Sequence, residues 1–140
     1  MTATSAKSFE DIKIGDTLGP QEIHVSRERC RAYAREAHLE AARFTDDEGA
    51  RKEGLPGMIL PGNMSMALLS RMLTDWLPEA RLERLGVTFR GIVQPGKPLR
   101  CSGFVTDRRL TADGVELECD VILEQGGERR TTGVAVLQLR

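Results

Sequence analysis

Between Asn63 and Leu77 the apolar positions are Met64, Met66, Ala67, Leu68, Leu69, Met72, Leu73, Trp76 and Leu77. At helical spacing they cover more of the circumference than a surface helix needs, and a helix apolar around most of its girth is buried on most sides. Pro78 lacks the amide for a further turn and stops it. Upstream the pattern is narrower. Cys30, Tyr33, Ala34 and Ala37 recur at i, i+3, i+4 and i+7, the stripe of a helix with one buried face, with Ser26 as N-cap and Glu28 in the first turn. Before it, Ile23 and Val25 alternate with polar neighbours and predict a strand, entered through the turn signals Gly15-Asp16 and Gly19-Pro20. Around His38 to Phe44 the periodicity breaks. Asp46 to Glu53 predicts a short helix closed by Gly54 at its C′ position.

Downstream the period becomes two. The runs "ERLGVTFRGIV", "LRCSGFVTDRRL", "VELECDVILEQ" and "RRTTGVAVLQLR" predict strands, separated by "QPGKP", "TADG" and Gly126-Gly127. In the third run Val115, Leu117, Cys119, Val121 and Leu123 face one way, and Glu116, Glu118 and Asp120 the other. The expected arrangement is an antiparallel meander with one wet face, curled around the buried helix in an α+β domain. No repeat or linker divides residues 9–140, and the small polar start "MTATSAKS" over residues 1–8 is expected to be a flexible tail.

The length of 140 residues suits one domain with a core of its own. Twenty basic against twenty-one acidic residues give a net charge of −1, which favours neither nucleic acid nor an anionic membrane as partner. No apolar run reaches a membrane span and no signal-peptide pattern opens the chain, so a cytoplasmic protein is expected. Cys30, Cys101 and Cys119 are far apart and lack C-x-x-C spacing, which argues for small buried hydrophobes rather than a metal site or disulfides.

The residues ahead of the buried helix carry a resemblance. The segment "DDEGARKEGLPGMILPGNM" is similar to the MaoC-like acyl dehydratases, the (R)-specific enoyl hydratase family of the hotdog fold. In that family a helix ends in D-x-N-P-[IV]-H, followed by roughly x-D-P-E-x-A-R-x-x-G-F, a short loop, and I-A-H-G-M opening the central helix. Asp46, Glu48, Ala50, Arg51, Gly54, Leu55, Ile59 and Gly62 fall where the second part places its D, E, A, R, G, F, I and G. The resemblance runs from Phe9 to the C-terminus, with "VTFRGIVQPGKPLRCSGFV" similar to the family's strand, turn and returning strand. It implies a single hotdog domain and lyase-type chemistry on 3-hydroxyacyl or enoyl thioesters, in fatty-acid or polyketide metabolism. The substrate would be carried on coenzyme A or acyl carrier protein, with no further cofactor. The chain would pair as a homodimer, or as a heteromer with a sister hotdog subunit.

The proton-transfer residues do not carry over. With Gly62 as anchor, the family's histidine falls on Phe44 and its aspartate on Leu39; Ala41 and Ala42 replace its Asn-Pro, and Pro61 replaces the histidine before the helix glycine. Dehydration removes a proton from carbon 2 and a hydroxyl from carbon 3, so an acid and a base must reach one small unit. A preorganised donor should also face the thioester oxygen. The Gly62 N–H, an unpaired amide at a helix start, still supplies that donor. Leu39, Phe44, Met58, Ile59 and Met64 are expected around the acyl group. His38 and Glu40 are the candidates for a displaced acid and base, against the plainer reading of solvated loop residues. Asp46, Asp47 and Glu48 are the carboxylates a thioesterase would use, against a role as helix-terminal charges, and His24 reads as a surface residue. Arg100, Arg108, Arg109, Arg129 and Arg130 either meet a coenzyme A phosphate or charge the sheet edges. Three functions follow: a subunit lacking its own dyad, an active hydratase or thioesterase with a displaced base, and a non-catalytic acyl-thioester binding protein.

Overall fold

In the computed structural model, which describes residues 9–140, a five-stranded antiparallel sheet wraps one long helix. After a 3-10 turn (Phe9–Asp11) come β1 (Thr17–Ile23), α1 (Arg27–Glu36), α2 (Ala42–Thr45), α3 (Asp47–Lys52) and α4 (Gly62–Trp76). The strands β2 (Arg81–Phe89), β3 (Leu99–Thr111), β4 (Gly114–Gln125) and β5 (Glu128–Leu139) follow. The expected tail over residues 1–8 lies outside the described residues.

Helix α4 buries Met64, Ser65, Leu68, Leu69, Met72, Leu73 and Trp76. Asn63, Ala67, Arg71, Thr74 and Asp75, recurring at three- and four-residue spacing, are the exposed strip that remains. Against α4 packs the inward face of β4, where Val115, Leu117, Cys119, Val121 and Leu123 are all buried in the same core. The alternation expected for this strand is thus met at every position. Gly126 and Gly127, with φ of +62° and +77°, make the tight turn into β5 that a side chain at either position would strain.

The strand order is β1-β3-β4-β5-β2. β3, β4 and β5 form a meander, but β2 does not join it at the β3 side. It pairs with β5 at the far edge, and β1 takes the place beside β3. The strand expected over residues 83–93 therefore stops at Phe89, and residues 90–98 cross the end of the sheet instead of turning back. The hydrogen bonds of the crossing segment explain this. Leu60 N donates to Val93 O and Gly96 N to Val25 O, each at 2.7 Å. The Gln125 side chain accepts from Gln94 N at 2.8 Å and donates to Gln94 O at 2.9 Å. The segment is satisfied without a neighbouring strand.

All three cysteines are free and buried. Burial pushes the Cys30 thiol up to about 11 and those of Cys101 and Cys119 up to about 12, so they are neutral packing groups. Among the described residues no helix is long and apolar enough to cross a membrane.

Candidate functional site

Helix α4 starts behind Pro61, which caps it without a side-chain hydrogen bond. The first amides of a helix have no carbonyl one turn earlier to bond. Here Met64 N and Ser65 N reach back to Pro61 O at 3.0 and 3.4 Å, while Gly62 N makes no hydrogen bond among the described residues. This donor sits at the positive end of the helix dipole. In front of it lies a groove of about 550 Å³. Gly62 and Ser65 line it from α4, together with Arg43, Phe44, Ile59, Leu60, Phe89 and the loop Arg90 to Val93.

The main chain fastens these walls. Ile59 N donates to Arg43 O at 2.9 Å, tying the segment before α4 to α2. Across the groove, Arg90 N and Gly91 N both donate to Arg130 O, at 2.7 and 3.1 Å. The Cys30 thiol lies 3.5 Å from the carbonyl oxygens of both Phe44 and Ile59, so α1 braces one wall from behind. The Arg43 guanidinium stands 5.8 Å from the centre of the Phe44 ring and 2.9 Å from Glu53.

Phe89 shares the core-facing side of β2 with Leu85 and Val87, yet it is 53% exposed. Its ring points end-on at Gly62. A Cβ on Gly62 would lie 2.7 Å from Phe89 Cζ, so this ring position requires glycine at the start of α4.

Of the residues expected from the sequence, Phe44, Ile59 and Gly62 come together in the groove. Met58 and Met64 are buried in the core beside it, 1% and 5% exposed, and do not line it. Leu39 is half-buried and His38 and Glu40 are exposed, all three outside the lining. His38 and Leu39 instead close α1. His38 adopts φ +57°, with its N–H on Arg35 O at 3.1 Å, and Leu39 N–H reaches Ala34 O at 2.7 Å. That pair of bonds is a Schellman motif with a histidine where glycine is usual. His24 is exposed just past β1.

The three carboxylates each have structural partners. Asp46 caps α3 by accepting from Gly49 N at 2.7 Å, and Glu48 lies 3.9 Å from Arg51. Asp47 does something the sequence did not signal. It accepts from Met58 N at 2.9 Å and from Arg27 Nε at 2.8 Å, pinning the loop that leads to the groove. The Met58 amide and the adjacent Arg27 hold its carboxyl below the usual carboxylate range. A folded-state value lowered from 3.8 contributes stability above that pH, and the contribution is lost as pH falls through the lowered value. Asp47→Asn is therefore expected to melt below wild type at pH 6, with the gap shrinking as the pH is taken under about 3.8 in a series of thermal scans. A gap constant with pH would contradict this. Arg109, one of the arginines considered for a phosphate, is paired with Asp107 and Glu116 on the sheet surface.

The ionisable side chains lining the groove are Arg43 and Arg90; no carboxylate, imidazole or thiol is among the lining. The arrangement presents an amide donor between apolar walls and contains no group that moves a proton at neutral pH. Ser65, Phe89 and the loop Arg90 to Val93 were not anticipated. Only Ser65 carried a signal, one turn after Gly62 on the same helix face.

Residues 11–126 match the family described as "MaoC like domain". The chain belongs to the MaoC-like dehydratase family. No curated protein matches it in sequence. Its MaoC-like fold is shared with the (R)-hydratase from A. caviae involved in PHA biosynthesis, at a TM-score of 0.85 and 19% identity over 94% of this chain and 99% of that one. A chain of the ChsH1-ChsH2 complex from Mycobacterium tuberculosis superposes at 0.81 with 17% identity, over 91% and 98% of the two chains. The C-terminally truncated HadBC (3R-hydroxyacyl-ACP dehydratase) complex from the same organism gives 0.76 with 18% identity, over 89% and 95%. The family's hotdog architecture is thus present, and the groove at α4 is lined by Phe44.

Proposed function

We propose that this MaoC-like chain binds 3-hydroxyacyl or enoyl thioesters in the groove at α4 and serves, in the cytoplasm, as the dyad-lacking subunit of a hydratase assembly. A sister hotdog chain supplies the acid and the base. The observation that carries this reading is the groove itself: an unpaired helix amide at Gly62 between apolar walls, with arginines as the ionisable lining. Oxyanion stabilisation and proton transfer are separable contributions, so a site can retain the first without the second. Two heteromeric complexes among the structures of the same fold, ChsH1-ChsH2 and HadBC, support pairing with a different hotdog chain. The carrier is coenzyme A or acyl carrier protein, and no cofactor takes part. The edge strands β1 and β2 are where a second sheet can be accommodated.

The test is hydration of crotonyl-coenzyme A by the chain purified to homogeneity, beside calorimetric binding of the same thioester. Binding with little or no turnover is expected, and turnover should appear when a sister hotdog subunit is added. Efficient hydration by the chain alone would overturn the reading. Loss of that activity in His38→Ala or Glu40→Ala would then establish a displaced base.

A further inference from the structure

We propose that Ser65 is a ligand-contacting residue, and that its hydroxyl meets the oxygen on carbon 3 of a 3-hydroxyacyl thioester. The inference rests on the acyl-thioester reading above and narrows it to the 3-oxygenated ligand.

Three observations converge on this serine. It is only 2% exposed, yet it lines the groove. Its hydroxyl finds no hydrogen-bond partner among the described residues and is not sealed from solvent, so it opens on the groove. It stands three residues after Gly62, the donor at the helix start, on the same face of α4. A hydroxyl with no partner in the protein pairs with water or with a ligand that displaces it. Such a hydroxyl in the wall of a mostly apolar groove is a place where a ligand's polar atom belongs.

The spacing selects which atom. Positions i and i+3 on a helix lie about 5–6 Å apart. When the Gly62 amide holds the thioester carbonyl oxygen, a hydroxyl one turn further along faces the acyl chain beyond the carbonyl. The next oxygen of a 3-hydroxyacyl thioester lies there, two carbons on. A serine hydroxyl both donates and accepts, which matches an alcohol and is of no use to a saturated chain. Phe89, end-on against Gly62, lines the same groove as Ser65.

The experiment compares wild type and Ser65→Ala by isothermal calorimetry against 3-hydroxybutyryl-coenzyme A and butyryl-coenzyme A, which differ only in that oxygen. Ser65→Ala is expected to weaken 3-hydroxybutyryl binding about five- to tenfold and to leave butyryl binding unchanged. Its melting temperature should equal or exceed that of wild type, because no hydrogen bond within the protein is lost and alanine favours the helix. A lowered melting temperature, or equal weakening for both thioesters, would show a packing role and overturn the inference. Unchanged binding of both thioesters by the variant overturns it while sparing the acyl-thioester reading. Failure of the wild type to bind either thioester overturns both.

Discussion

Leu39→Asp and Phe44→His, made together, are expected to raise hydration of crotonyl-coenzyme A by about a hundredfold or more, and well beyond either change alone. A positioned acid or base contributes ~10²–10⁴-fold, and the groove has neither. Phe44 already lines the groove, so an imidazole there enters the space a ligand would use. It titrates near neutrality and can take and return a proton, which a phenyl ring cannot. Leu39 follows the left-handed His38, and its amide is fixed on Ala34 O at 2.7 Å, so a carboxylate at this position starts from a defined backbone. The aspartate's task is to orient the imidazole, which is why it should do little alone. Losing the half-buried leucine costs some stability, and each variant should be melted before it is assayed. A folded double variant no faster than wild type would mean that the groove does not present carbon 2 to Phe44, and the catalytic reading of the site would go with it.

The second large effect is on the fold. Leu73 is completely buried in α4 at the centre of the core, and truncation to alanine should cost about 2–5 kcal/mol through the cavity it leaves. Arg71→Ala, on the exposed strip of the same helix, should stay within about 0.5 kcal/mol. Urea unfolding of both variants measures the contrast. A cost below about 1 kcal/mol at Leu73 would contradict the burial of α4 on which the architecture depends.

The core of this architecture was legible because its signals are local and periodic. The apolar girth of α4, the strict alternation from Val115 to Leu123 and the glycine pair at 126–127 each have one good structural solution. Strand order was not legible in the same way. Pro95 and Pro98 forbid a regular strand whether the chain turns back or crosses over, and the bonds that decide it come from Gln125, Leu60 and Val25, far away in sequence. Part of the groove's lining was named from the family motif, since Gly62, Phe44 and Ile59 come together there. The remainder depended on tertiary context. Histidine is an uncommon C′ residue, so nothing marked His38 and Leu39 as the close of α1. Asp47 looked like one more helix-terminal acid until Met58 N and Arg27 were seen on its two oxygens.

The way the groove is fastened also bears on how such a site changes over time. Its walls are held by bonds from Ile59 N to Arg43 O, Leu60 N to Val93 O, and Arg90 N and Gly91 N to Arg130 O, all of them main chain to main chain. Such bonds survive replacement of any side chain except by proline at a donor. The side chains of Ile59 and Ile92 are therefore free to drift, and each exchange reshapes the cavity while the scaffold keeps its coordinates. Selection for a ligand and selection for folding act here on different atoms of the same residues, so a lineage can acquire a new acyl preference without first acquiring spare stability.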